Sequence, residues 1–388
     1  MNTTTTLLTW RLGLGLSFSL LVLGFPAAQA QDQPPRKGGE PVRTPVYPPP
    51  APLASDTTRT DQVGQSQEFA VPSVLGSGPS KGVVAHYERL GNFSINSKLR
   101  DRNPEGQAST TVTKNARAYI KAYAPLINHP HLKMILGLNY DREEFNFKSP
   151  EGSTFYRNLE EKGLKVIGAQ LAVIRPVDEV HWYIARIKGE LNGDYTSSEL
   201  DVPDYLKMSG EFIYGWKRSP NFAWGIGGQL GYTFGRQSIY PVILYNRTFN
   251  PRWGVEALFP ARVSFRYNAT RSTLFFAGYT VDGYNYNIKL REPLQNGQQT
   301  LILRETELKP RVRLEREIYD FLWFGLEAGY RYNVSFNALD EANNKGLGLL
   351  RKSPRPLLLD NTLGGAPYAA FELFLVPPRK FLNKTASK

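Results

Sequence analysis

Between Phe222 and Gly235 apolar and small or polar residues alternate strictly along the chain. Phe222, Trp224, Ile226, Leu230, Tyr232 and Phe234 hold even positions, interrupted by Gly228, while Ala223, Gly225, Gly227, Gln229, Gly231, Thr233 and Gly235 hold the odd ones. Successive side chains of an extended strand point to opposite faces, so one face is apolar and the other small or polar. These fourteen residues, at roughly 3.3 Å each and tilted about 45°, rise about 30 Å, the thickness of a bilayer's hydrocarbon core. The segment predicts a membrane-crossing β-strand. A long strand of a soluble sandwich alternates too, so the rest of the chain decides.

From Val83 onward, segments with strand character recur near 83–95, 109–123, 132–147, 164–174, 181–191, 205–217, 222–235, 239–248, 253–259, 262–268, 273–289, 300–316, 320–336 and 366–376. That makes fourteen, give or take two. Their connections sort by length: 96–108, 148–163, 192–204, 290–299 and 337–365 are long and polar, whereas 124–131, 175–180, 218–221, 269–272 and 317–319 are short. Outer-membrane barrels alternate short periplasmic turns with long outer loops in this way. An even strand number then puts both ends of the barrel on the short-turn side. Trp182, Trp216, Trp224 and Trp253 lie within a few residues of expected short turns and are read as an aromatic girdle at the periplasmic interface. Trp323 shares that end, but its parity groups it with Gly325 and Glu327 on the polar face.

One region fits two arrangements. Segments 253–259 and 262–268, parted by Pro260, are shorter than the usual crossing strand. They form either a low stretch of wall or a single bulged strand, in which case Asp282-Gly283 turns the chain between two further strands. Ser153 to Gly163 predicts a short helix in an outer loop.

Composition adds location. Arg11, the apolar run Leu12 to Phe25 and Ala28-Gln29-Ala30 form the three parts of a signal peptide. Gln31 to Ser80 holds ten prolines and few large apolar residues, and reads as a disordered periplasmic tether. The chain has no cysteine, so neither disulfides nor a lipidated cysteine is available to it. Its formal net charge of +12 suits anionic lipid headgroups; nucleic acid is excluded for an exported chain.

The run Ser238 to Asn268, SIYPVILYNRTFNPRWGVEALFPARVSFRYN, resembles the central signature of a Bacteroidota outer-membrane barrel family known as domain of unknown function 6268. Gly82 to Ser97 is similar to that family's first strand. The resemblance implies a barrel over roughly residues 80–376 and carries over no catalytic residue. Pro377-Pro378 departs from the aromatic ending usual in such barrels and leaves the closing strand open.

The four histidines, His86, His129, His131 and His181, have no nucleophile signature beside them. His129-Pro130-His131 offers two metal ligands and an incomplete site. Polar parity instead singles out lumenal residues: Lys207, Ser209 and Glu211, Gln229, and Glu327, Arg331 and Asn333. If Arg316 faces Asp320 across the 317–319 turn, Lys309 pairs with Glu327 and Glu305 with Arg331, while Arg311 and Arg313 face Gly325 and Trp323. Glu305, Lys309, Arg311, Arg313, Glu327 and Arg331 thus form an expected charged ladder in the lumen. A second candidate is Leu350 to Asn361, with Arg351, Lys352, Arg355 and the apolar run Leu357 to Leu359, as plug, lipopolysaccharide contact or solvated loop.

The expectation is an all-β protein: a transmembrane antiparallel up-and-down β-barrel of 12–14 strands over residues 81–376, behind a signal peptide (1–30) and tether (31–80), with a tail (377–388). It belongs in the outer membrane of a Gram-negative cell. A porin-like passive or selective channel for a small solute is the first function expected. A structural or partner-binding barrel with a filled lumen is the alternative, and an outer-membrane lipid hydrolase the third. Outer-membrane lipid, lipopolysaccharide and the barrel-assembly machinery are the expected partners. No enzyme activity, cofactor or metal is expected, and the oligomeric state is open.

Overall fold

The computed structural model describes residues 70–100, 107–196, 198, 200–340 and 356–377. The signal peptide, most of the tether, residues 341–355 and the tail from Pro378 lie outside the described residues.

Alternation carried from strand to strand builds one continuous sheet of sixteen segments. They are β1 (Val83–Leu90), β2 (Phe93–Leu99), β3 (Gln107–His129), β4 (Leu132–Phe147), β5 (Leu164–Pro176), β6 (His181–Gly193), β7 (Leu206–Ser219) and β8 (Phe222–Gly231). The second half comprises β9 (Ser238–Thr248), β10 (Trp253–Phe259), β11 (Arg262–Thr270), β12 (Thr273–Lys289), β13 (Thr300–Tyr319), β14 (Leu322–Asp340), β15 (Leu357–Leu363) and β16 (Ala366–Leu375). β1 and β2 are halves of the first stave, and β15 and β16 of the last, each broken at a glycine: Gly91 in one, Gly364-Gly365 in the other. β1 pairs with β16 from Val83↔Leu375 to Leu90↔Tyr368, and so closes a fourteen-strand antiparallel barrel. β16 is thus the closing strand.

The wall is inverted relative to a soluble protein. Ile187, Phe212, Ile226, Phe265, Val312 and Leu326 are exposed on the outer face, while Glu88, Arg117, Arg266, Glu327 and Glu372 are buried inside. Charged side chains are kept from the hydrocarbon, and backbone groups are paired around the closed wall.

Several boundaries differ from expectation. β8 stops at Gly231, and residues 232–237 fold inward, so that Asn285 Nδ2 donates to Gly235 O at 3.0 Å. Gly235 adopts φ +66, which favours glycine and ends the strand. Of the two arrangements for residues 253–268, β10 and β11 form a low hairpin wall, and β12 runs straight through Asp282-Gly283. Above that wall β12 leans over to β6, pairing Asn287 with Gly193. Leu357–Leu359 belong to β15, hydrogen-bonded to β14 and β2.

The helix α1 (Thr154–Lys162) sits at the long-loop end. Phe155 and Leu159 are fully buried and join Phe145, Ile288, Leu301 and Phe336 in an apolar cluster. Tyr156 donates to Ser97 Oγ at 2.8 Å, and Asn158 to Asp194 at 2.7 Å, so the helix is tied to both sides of the opening.

Phe212 lies midway along β7 on the outer face. Phe212→Arg is expected to destabilise the folded barrel by about 2–4 kcal/mol, measured as a lower denaturant midpoint for loss of the heat-modifiable form in lipid vesicles.

Candidate functional site

The lumen has two unlike halves. In one, inward side chains of β1, β3, β4, β13, β14 and β16 lock together as a buried charge lattice. Arg117 of β3 bonds Glu143 of β4 at 2.6 Å and Glu307 of β13 at 3.1 Å. Arg331 Nη1 reaches Glu307 at 3.1 Å, and its guanidinium lies 4.1 Å over the Phe93 ring. Lys309 donates to Glu88 at 2.8 Å. Nearer the short turns, Arg313 bonds Glu315 at 2.8 Å and Glu372 at 2.5 Å. Glu372 also accepts from Lys81 at 2.7 Å and contacts His86 Nδ1 at 3.2 Å, with the His86 ring stacked on Tyr119. Since β3 and β13 are not neighbours in the wall, these bonds span the lumen on this side.

The ladder residues lie in this lattice, but not in the expected pairs. Arg313 faces Glu327, Arg311 faces Gly329 and Arg316 faces Phe324. The register slips because β13 continues to Tyr319 and the turn narrows to Asp320-Phe321. Glu327 therefore accepts from Arg311 at 2.6 Å rather than from Lys309, and Arg331 bonds Glu307 rather than Glu305. Glu305 is fully buried, with Arg117 Nη2 3.6 Å away. Between the turn and the bulge at Thr306/Glu307 the slip moves each partner by four residues, so every residue there keeps its face. Glu88, Arg117, Glu143, Glu307 and Glu372 were missed as site residues. Inward parity was their signal, most plainly in β16, where Glu372 shares a buried face with Tyr368, Ala370 and Phe374.

At the short-turn end, residues 70–81 line the mouth from within, although the tether was expected to run to Ser80. Ala70 N donates to Asp178 O at 2.9 Å and Leu75 N to Pro220 O at 3.0 Å. Side chains of the wall hold the strap's carbonyls: Asn246 bonds Pro72 O at 3.0 Å, Thr248 bonds Leu75 O at 2.5 Å and Asn268 bonds Gly76 O at 3.2 Å. Lys217 bonds Ser73 O. Gly76 has φ +74, and a Cβ there would meet Asn268 at 3.0 Å. Val74 is buried beneath these bonds.

The girdle is corrected at one position. Trp182 is fully buried and points inward, its ring filling the space over Gly215 and Gly225. Its parity in β6 is that of Arg186 and Lys188, and its nearness to a turn misled. Trp216 and Trp224 stack outside at 4.5 Å between centroids, and Trp253 lies 4.6 Å from Tyr267. Trp323 is buried against Phe374.

The other half, along β5–β11, is filled in part by a buried cluster of Trp182, Ile213, Tyr240, Val242 and Leu244, and is reached by solvent beside it. Arg186 and Lys188 point inward, yet their side chains are 35% and 36% exposed. Gln170, Ser209, Glu211 and Gln229 join them around a cavity of ≈ 80 Å³. Arg262, at the tip of the low wall, is exposed and inward by parity with the buried Arg266 and Asn268. Elsewhere, His181 bonds Asp178 at 2.7 Å and His129 stacks on His131. Among the described residues no group of three or more histidine, aspartate or glutamate side chains is set to hold a metal.

The family model described as Domain of unknown function (DUF6268) matches residues 96–346, from β2 to just beyond β14. The chain belongs to this family. No curated protein matches it. Among solved structures, the DUF6268 barrel resembles an outer membrane channel from Pseudomonas putida F1 at 8% identity over 79% of this chain and 99% of that one, TM-score 0.36. It also resembles the P. putida toluene transporter TodX at 9% identity over 79% and 93%, TM-score 0.33. Outer membrane phospholipase A from Escherichia coli follows at 9% over 74% and 92%, TM-score 0.27. None of these likenesses bears on what this lumen does.

Glu372→Ala strips a buried partner from Arg313, Lys81 and His86 at once. The expected cost is about 3–5 kcal/mol, read as a lower midpoint for unfolding of the refolded barrel. Arg262→Ala, which breaks no ion pair among the described residues, is expected to leave that midpoint unchanged.

Proposed function

We propose that this DUF6268 protein is exported to the outer membrane of a Gram-negative cell and forms a narrow channel for a small polar solute. Its route follows the inner faces of β5–β11, and residues 70–81 constrict its periplasmic end. One observation carries the reading: Arg186, Lys188 and Arg262 turn inward on that side and are reached by solvent, while the charged groups opposite are sealed in the charge lattice. Arg186 and Lys188 are each about one-third exposed, against 8% for the Arg117 side chain. Charged lumenal walls filter what passes through a barrel. The outward aromatics Trp216, Trp224 and Trp253 suit a lipid interface, and lipopolysaccharide is the natural neighbour of the long-loop end.

The cross-lumen lattice favours a second reading, a braced barrel whose loops bind a partner and whose lumen stays shut. Single-channel recording separates the two. The full chain refolded into planar bilayers is expected to give small, stable conductance steps, and deletion of residues 70–77 to enlarge them. Silence from both proteins, shown to be folded by heat-modifiable migration, would defeat the channel and leave the braced barrel.

A further inference from the structure

We infer that the solvent-reached half of the lumen is an anion-selective constriction that binds small carboxylate- or phosphate-bearing solutes. The inference deepens the channel reading and rests on it for the route.

Three of the ion pairs that face this space are turned the same way. Arg186 is 35% exposed, but Glu211, its partner at 3.0 Å, is 6% exposed. Arg311 is 24% exposed, whereas Glu327, 2.6 Å from it, is 4% exposed. Lys188 is 36% exposed against 17% for Glu190, 2.8 Å away. In each of these three the cation meets solvent and the carboxylate is recessed in the wall. Two pairs run the other way, with Glu256 32% exposed over a buried Arg266 and Asp282 38% exposed over a buried Lys309. Counting Arg262, four solvent-reached cations face two carboxylates, and the balance presented to a solute is positive.

Arg262 adds a charge that no close partner cancels. It lies within electrostatic reach of Arg186 and Arg311, and of Glu211 and Glu256, but among the described residues no carboxylate lies within 4 Å of it. Glu256 is held by Arg266 at 2.6 Å. Asp282, 38% exposed, is the other carboxylate reaching toward the space, and it lies 3.7 Å from the buried Lys309. The guanidinium groups of Arg186 on β6 and Arg311 on β13 therefore lie within electrostatic reach of that of Arg262 on β11. A planar guanidinium donates in parallel to two oxygens of a carboxylate or phosphate. Gln170, Ser209 and Gln229 supply neutral donors around the ≈ 80 Å³ cavity beside Arg186, which has room for a group of several non-hydrogen atoms. Low-dielectric walls concentrate such a field along the lumen.

The full chain, refolded into planar bilayers under a potassium chloride gradient, is expected to pass chloride over potassium by about five-fold or more. Arg262→Gln should lower that ratio, and Arg262→Glu should invert it, with folding checked by heat-modifiable migration. Acetate and inorganic phosphate are added separately as blockers of the chloride current. Block by acetate alone assigns the carboxylate, and block by phosphate alone assigns the phosphate. Equilibrium dialysis of labelled phosphate and acetate against the detergent-folded chain reads the site without any current, and Arg262→Gln should weaken that binding. Binding by a barrel that carries no current upholds the site and defeats the channel. An unselective or cation-preferring current, with neither anion bound, overturns the site and keeps the channel. Silence with no binding overturns both.

Discussion

Each charge buried in this lumen has to be answered by an opposite one, and the way it is answered shapes the barrel. β13 alone brings Glu305, Glu307, Lys309, Arg311, Arg313 and Glu315 to its inner face. Buried away from water, such groups are tolerable only when paired and hydrogen-bonded. Their partners come from β1, β3, β14 and β16, so the pairing draws opposite walls together and fills that half. On the other side, Arg186 pairs with Glu211 on the neighbouring strand and Lys188 with Glu190 on its own. Pairs formed within the wall do not pull walls together. The difference between a sealed half and an open one is thus the direction in which ion pairs run.

Strand length reinforces the asymmetry. β10 and β11, with seven and nine residues, fall short of the long β12 to β14. β12 consequently bends across to meet β6 above them, where Lys207 donates to Asn287 at 2.7 Å. The space below this bridge is where Arg262 projects. The helix α1 and its apolar cluster fill the outer opening behind this bridge, with Asn158 bonded to Asp194 and Lys162 to Lys289 O. Wall height and the direction of the ion pairs therefore leave the same side open.

Much of this architecture was legible in the residues, and the exceptions share a cause. Period-two alternation marked strands and faces because a lipid-facing position and a lumenal one demand different side chains. Loop lengths marked the two ends. What parity cannot supply is register: the β13–β14 turn is centred two residues later than expected, and that sufficed to put Arg313 in place of Lys309 opposite Glu327, with Arg311 reaching the same carboxylate. Trp182 was misplaced because position along the barrel was weighed above parity. The strap was invisible for another reason. Its carbonyls are held by Asn246, Thr248 and Asn268, and a backbone carbonyl leaves no signature in the sequence that carries it.

The strap also imposes an order on assembly. Its segment precedes β1 in the chain, yet its bonds are to residues near the turns flanking β6 and β7, and to side chains of β9 and β11, with Pro72 and Asn246 separated by 174 positions. None of those anchors exists until the middle strands have paired, since contacts so distant in sequence form only after the intervening chain is organised. The earliest of the described residues to be synthesised are therefore among the last to be seated. A half-built barrel has an unlined mouth, and the lining arrives as a signature of completion.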